Sequence, residues 1–289
     1  MRICRFNDNR LGLVEGNQVK DVTSVLDALP PLTWPVPHGD HFIANLGTLL
    51  PLIEKAAASA AAQPLASVKL LSPVANASKV VAAPLNYQLH VDEASNPDIN
   101  HGVHMPGHDG FATPIDKYGL FLKGATGVVG ASEGVEIHWP ERRNDHEIEL
   151  AVIIGEGGKN IAREDAMKHI AGYAIGLDMT VRGTEDRSMR KAADSYSVLG
   201  PYLVTADEIA DPGNLDFEIR VGNEVRQKSN TNMLICDIPD LIVRASKVYH
   251  LYPGDIIMTG TPEGVAEVKA GNVMHCWIDQ VGEMDVAVR

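Results

Sequence analysis

Cysteine is scarce in this 289-residue chain, limited to Cys4, Cys236 and Cys276. An odd number at wide separations, without C-x-x-C spacing, argues against a disulfide framework and against a zinc or redox site. It fits a reducing, cytoplasmic compartment. Positive charge is also short: 25 lysines and arginines stand against 38 acids, a formal net charge of −13. That balance repels phosphate backbones and anionic headgroups, and no Lys/Arg stripe with interleaved aromatics overrides it. Neither nucleic acid nor a membrane is an expected partner. No apolar run approaches the ~20 residues that span a bilayer. The opening MRICRFNDNR carries charges where a secretory signal has its apolar core. No fixed-period repeat appears, which argues against solenoids and propellers.

What is present is globular in character, with 45% hydrophobic and 22% charged residues, enough apolar surface to offset the entropy of ordering the chain. An acidic protein that handles a small anion must neutralise it locally, with a metal ion or a few placed cations. Residues 1 to about 30 read as short strands with tight turns at Gly12, Gly16 and Asn17. A helix over about 40 to 63 follows, closed by Pro64. The character changes near 72 to 78, which divides a small N-terminal domain (1–72) from a larger one (73–289). The larger part alternates apolar strands with Gly/Pro turns, and helical periodicity is limited to AREDAMKHIAG and DIPDLIVRASKVY. The expected class is α+β and strand-dominated. The segment from Ser95 to Lys117 has neither period, and so long a loop suggests a functional element.

Several side chains could carry chemistry. In NDHEIELAVIIG, Glu147 and Glu149 lie two apart on an expected strand, so both carboxylates leave one face while Ile148, Leu150 and Val152 leave the other. Such a pair suits a hard cation with oxygen ligands, Mg²⁺, Mn²⁺ or Ca²⁺; an exposed strand edge with alternating acids reads the same way. Asp178 ends the apolar run GYAIGLD and needs a partner if buried, or else serves as a turn residue or helix cap. In NYQLHVDE, His90 and Glu93 share one helical face, the arrangement of a general base oriented by a carboxylate, and equally that of a surface pair. Arg182, Arg190 and Lys191 are candidate cations for an anionic substrate or a developing enolate. Gly260 and Thr261 form a turn that can offer an N–H and a hydroxyl to a carboxylate, though ordinary turn chemistry explains them too.

Taken in order, the motifs resemble the fumarylacetoacetate hydrolase family. They are N-Y-x-x-H-x-x-E, F-L-K-G, E-x-E-L-A-V-I-I-G, G-Y-x-x-x-x-D, L-G-P, G-N-E-x-R-Q and P-G-D-x-I-x-T-G-T-P, running from about Val80 to the C-terminus. The resemblance implies a mixed β-sandwich roll assembled as a homodimer. It implies Mg²⁺, with Mn²⁺ or Ca²⁺ as alternatives, on Glu147, Glu149 and Asp178. It assigns catalysis to His90, Glu93 and Lys191, and contacts with a small 2-oxo acid substrate to Tyr87, Lys123, Arg182, Gly260 and Thr261. The implied activity is C–C bond hydrolysis of an acylpyruvate in the catabolism of aromatic compounds or sugar acids. Alternatives are a 2-hydroxyhepta-2,4-diene-1,7-dioate-type isomerase, an oxaloacetate-type decarboxylase, or a non-catalytic metal- or ligand-binding member. The Ser95–Lys117 loop, with His101, His104 and His108, is then a candidate lid. This chain departs from the family pattern after the metal aspartate, where Gly183 and Glu185 replace the usual Asp and Gln while Arg182 is kept. The lysine segment RKAADSYSVLGP also differs from the common K-S-F-D form.

Overall fold

A computed structural model describes residues 1–96 and 110–289. Its largest sheet has twelve strands and mixes directions: Ile148–Ile154 and Ile170–Asp178 pair antiparallel, while Ile256–Met258 runs parallel to Val80–Ala82. A four-stranded antiparallel sheet, with Asp216–Val221 beside Val273–Ile278, packs against one face of the large sheet. There Phe217, Ile219, Cys276 and Ile278 meet Ile148, Leu150, Val152 and Ile175 in one buried cluster. The opposite face, through Ala151, Ile153 and Leu199, meets Leu49 and Ile53 of the helix Leu46–Ala57. Covering on both sides explains why the central strand IELAVII is buried at every position and why every residue in it except Glu149 is apolar, with no polar alternation. Protein of this class is strand-dominated α+β, as the composition of its elements suggested.

The N-terminal residues extend the same sheet. Strand Arg2–Phe6 pairs with Ser197–Thr205, placing Ile3 opposite Leu203, and the hairpin Arg10–Glu15 with Gln18–Asp21 continues outward. The helix expected to close at Pro64 ends at Ala57, because Ala62–Pro64 is drawn into an edge strand on Gln18–Asp21. Around Ala162 to Ile170 the expected helix is reduced to a 3₁₀ turn at Ala166–His169, since Ile170 already belongs to a buried strand. The amphipathic helix Ile238–Val248 forms as its periodicity predicts, with Leu241, Ile242 and Ala245 buried. All three cysteines are buried and free. No helix among the described residues is long and apolar enough to cross a membrane. His101, His104 and His108 lie outside the described residues.

Candidate active site

Glu147 occupies a crossing point. The chain runs along Asn144–His146 in a three-stranded sheet, breaks at Glu147, and enters the large sheet at Ile148. The expectation of one continuous strand is therefore corrected, yet the two carboxylates still leave the same side because the break adds no residue to the alternation. Glu149 stands opposite Gly176 on the returning strand, and Asp178 ends that strand opposite Ser197. One ligand oxygen each from Glu147, Glu149 and Asp178 lies within 4.8 Å of the others. All three side chains are buried, which removes the exposed-edge reading of the acidic pair.

The electrostatics of this cluster call for a cation. Burial pushes the Glu149 carboxyl well above the usual carboxylate range, and the charges of Asp178 and Glu147 push it further; the Gly260 amide, donating at 2.6 Å, offsets only part. Burial acts on Glu147 in the same direction, but Lys191 and Arg182 outweigh it and hold that carboxyl at about 2. Three buried carboxylates, converging with oxygen donors only, fit a divalent hard ion. The Lys191 ammonium donates to Glu147 at 2.6 Å and to Asp178 at 2.8 Å, carrying part of the opposing charge.

His90 and Glu93 sit on the helix Gln88–Ser95 and line the same cleft as the three carboxylates. His90 Nδ1 lies 2.9 Å from one Glu93 oxygen, and the other accepts from the Gly264 amide at 3.1 Å. A carboxylate is an acceptor only, so Nδ1 bears the proton and Nε2 is left as the basic nitrogen. Arg182 and Thr261 also line the cleft. Arg182 donates to Asp145 at 2.7 Å, and Thr261 donates to the Ile148 carbonyl at 2.8 Å.

Three expected substrate contacts are directed elsewhere. Lys123 is enclosed behind the site, bonded to Asp178 and to the Tyr196 carbonyl, and burial lowers its pKa against the pull of Asp178. Tyr87 is buried, packed edge-on against Phe217. The Gly260 amide is taken by Glu149; its φ of +101° explains the glycine.

Other contributors escaped the sequence reading. Asp145 is fully buried between Arg143, at 2.6 Å, and Arg182, so it anchors the arginine that reaches Glu147. It continues the two-residue alternation of Glu147 and Glu149, a signal that was available. Gln227 donates to the Thr261 hydroxyl and the Pro262 carbonyl, each at 2.8 Å, and accepts from the Ile148 amide. Burial drives the neighbouring His146 down to about 4, so it stays neutral beside the acids.

The departure at Gly183 and Glu185 has a physical account. A Cβ on Gly183 would fall 1.8 Å from Nη2 of Arg142. In the space left free, Arg142 grips both Glu185 oxygens, at 3.0 and 2.8 Å, and the Arg182 carbonyl. An aspartate at 183 would require the Arg142 and Glu185 side chains to move from this arrangement.

Comparison with known proteins agrees with this geometry. The model of the fumarylacetoacetate (FAA) hydrolase C-terminal family matches residues 79–289. The chain is 49% identical to a maleylpyruvate hydrolase of Aquipseudomonas alcaligenes, over 100% of this chain and 99% of that protein. It is 36% identical to a mitochondrial oxaloacetate tautomerase of Homo sapiens, over 76% of this chain and 69% of that protein. A crystal structure of maleylpyruvate hydrolase from Sphingobium sp. SYK-6, in complex with manganese(II) ion and pyruvate, superimposes with a TM-score of 0.82 at 40% identity, covering 100% of this chain and 98% of that one. With three converging buried carboxylates that fit a divalent cation and a family match over residues 79–289, the chain belongs to the fumarylacetoacetate hydrolase family.

Proposed function

We propose that this protein is a divalent-metal-dependent hydrolase that cleaves the C–C bond between the acyl group and the pyruvate unit of an acylpyruvate such as maleylpyruvate, in the catabolism of aromatic compounds. The observation that carries the reading is the His90–Glu93 pair lining one cleft with Glu147, Glu149 and Asp178. End-to-end likeness to a maleylpyruvate hydrolase supports the substrate class.

Glu147, Glu149 and Asp178 would hold a divalent cation, which would supply Lewis acidity toward the 2-oxo acid end of the substrate. Glu93 fixes the His90 tautomer and supports the imidazolium that forms when Nε2 takes a proton from water. The resulting hydroxide adds to the acyl carbonyl. Collapse of that adduct breaks the C–C bond, sending the electron pair into the enolate of pyruvate while the acyl group leaves as a carboxylic acid. The Lys191 ammonium steadies the enolate oxygen until carbon is protonated. Arg182, tied to Asp145, offers a fixed positive charge to the 2-oxo acid carboxylate.

The physiological ion in this reading is Mg²⁺, with Mn²⁺ or Ca²⁺ as substitutes. The protein acts as a cytoplasmic homodimer, with residues 1–72 as a small domain bracing the catalytic part at 73–289. A turnover screen of acylpyruvates, hydroxydienoates and oxaloacetate, with and without Mg²⁺ and with Glu149→Ala as blank, tests the activity. One pyruvate and one acid product per substrate supports it. Absorbance change without cleavage moves the assignment to an isomerase, CO₂ release to a decarboxylase, and binding without turnover to a non-catalytic member. Light scattering on the purified protein tests the dimer.

A further inference from the structure

The reaction uses the acidic floor of the cleft and leaves part of its positive charge without a role. Five cationic side chains line the cleft, Arg143, Arg182, Arg187, Arg190 and Lys191, against five carboxylates. Arg143, Arg182 and Lys191 are bonded to Asp145 or to the metal carboxylates. Arg190 is different. Its Nε donates to the Glu185 carbonyl at 2.9 Å, while its Nη1 is buried with no hydrogen-bond partner among the described residues. Burial lowers its pKa, and the charges of Arg182 and Arg187 lower it further. The opposite charges of Glu147 and Glu185 offset part of this, but a buried guanidinium donor without an acceptor remains costly unless an anion comes to it.

We infer that Arg190, with Arg187 beside it on the helix Arg187–Lys191, binds a second carboxylate at the far end of the acyl group. The enzyme then selects acylpyruvates that end in a carboxylate over those with a neutral acyl group. The inference rests on the acylpyruvate hydrolase reading given above. Charge agrees: a divalent ion added to a lining of five cations and five carboxylates leaves it two charges positive, matching a dianionic substrate. The local sequence agrees as well. Arg142 clamps Glu185 in the space that Gly183 leaves open, and the Glu185 carbonyl in turn holds Arg190. The unusual Gly183 and Glu185 thereby serve to position Arg190.

The test compares wild type, Arg190→Gln and Arg190→Lys on maleylpyruvate and on acetylpyruvate, a 2,4-dioxo acid without the terminal carboxylate. Calorimetric titration of the Mn²⁺-loaded proteins with maleate and with pyruvate gives a readout independent of turnover. Arg190→Gln is expected to lower the maleylpyruvate-to-acetylpyruvate ratio of kcat/KM by about 100-fold, through KM more than kcat, with partial recovery in Arg190→Lys. Maleate affinity is expected to fall by a similar factor relative to pyruvate affinity. An unchanged ratio, or maleate binding that survives in Arg190→Gln, overturns the inference. If wild type hydrolyses neither substrate, the acylpyruvate reading fails by itself. Maleate binding then still decides on Arg190: loss in Arg190→Gln supports the anion site, and retention, or no binding by wild type, overturns it.

Discussion

The backbone amide of Asp178 donates to the carbonyl of Glu147 at 2.9 Å, so the two carboxylates leave adjoining chains at the same rung. That bond is made where Glu147 interrupts its strand and where the strand of Asp178 ends. Both side chains therefore reach into the cleft from a hydrogen-bonded frame rather than from loops, which fixes the spacing of the oxygen donors.

Removing one donor should separate metal binding from folding. Glu149→Gln is expected to abolish the rise in melting temperature that Mg²⁺ or Mn²⁺ gives the wild type, and to reduce turnover by about 1,000-fold or more. The metal-free variant should melt no lower than metal-free wild type, because the substitution relieves buried like-charge repulsion. Thermal scans with and without metal distinguish this from simple misfolding, in which the metal-free variant melts early.

The same carboxyl predicts a pH dependence. The folded pKa of Glu149 lies well above its ordinary value of 4.5, so metal-free protein loses stability as pH rises from there through the folded pKa. The cation binds the deprotonated form, so its stabilising effect should grow over that window, with a proton released on binding. Glu147, held at about 2, acts oppositely: its contribution is present above 4.5 and fades as pH falls toward 2. Calorimetric metal titrations in buffers of different ionisation enthalpy, run at a series of pH values upward from 4.5, count the proton; none released at any of them contradicts the raised pKa.

The dyad should be dispensable for metal binding. His90→Gln is expected to lower kcat by about 10² to 10⁴ while leaving the Mn²⁺-induced thermal shift in place. Glu93→Gln should lower kcat less, since it leaves the imidazole in place and removes only the carboxylate that orients it and supports the imidazolium. Equal loss of metal binding in either variant would reassign the pair to structure.

Gln227 offers a stability test away from the reacting groups. It is 1% exposed and bridges Ile148, Thr261 and Pro262. Gln227→Leu strands buried donors and acceptors on both sides, at a cost of about 2–4 kcal/mol. Urea denaturation of the metal-free protein measures it, and a change below about 0.5 kcal/mol would show that the network contributes little.

Much of the site was legible because its key pairs are local. Glu147 with Glu149, and His90 with Glu93, are two and three residues apart, so strand and helix periods alone bring each pair to one face. Asp178 was legible from a carboxylate closing an apolar run. The long-range bonds were not. Arg142 meets Glu185 across 43 residues and Gln227 meets Thr261 across 34, and no local period reports such meetings. For the same reason Lys123, Tyr87 and Gly260 looked like substrate contacts: their motifs show that they stand near the site but not which way the side chain or amide points. Elements failed where tertiary pairing overrode propensity, as at Ala162 to Ile170 and at Pro64.

Strand Ser197–Thr205 touches two distant parts of the molecule at once. Near its end it carries the first strand of the chain, through Leu203 and Val204, and at its beginning Ser197 sits opposite Asp178. The amino-terminal hairpin is thus fastened to the same girder that supports the third metal ligand. Trimming the chain to its family-matched portion would strip the flank of that girder and let its far end sway. A shortened protein should then hold its ion more loosely while every ligand is still in place.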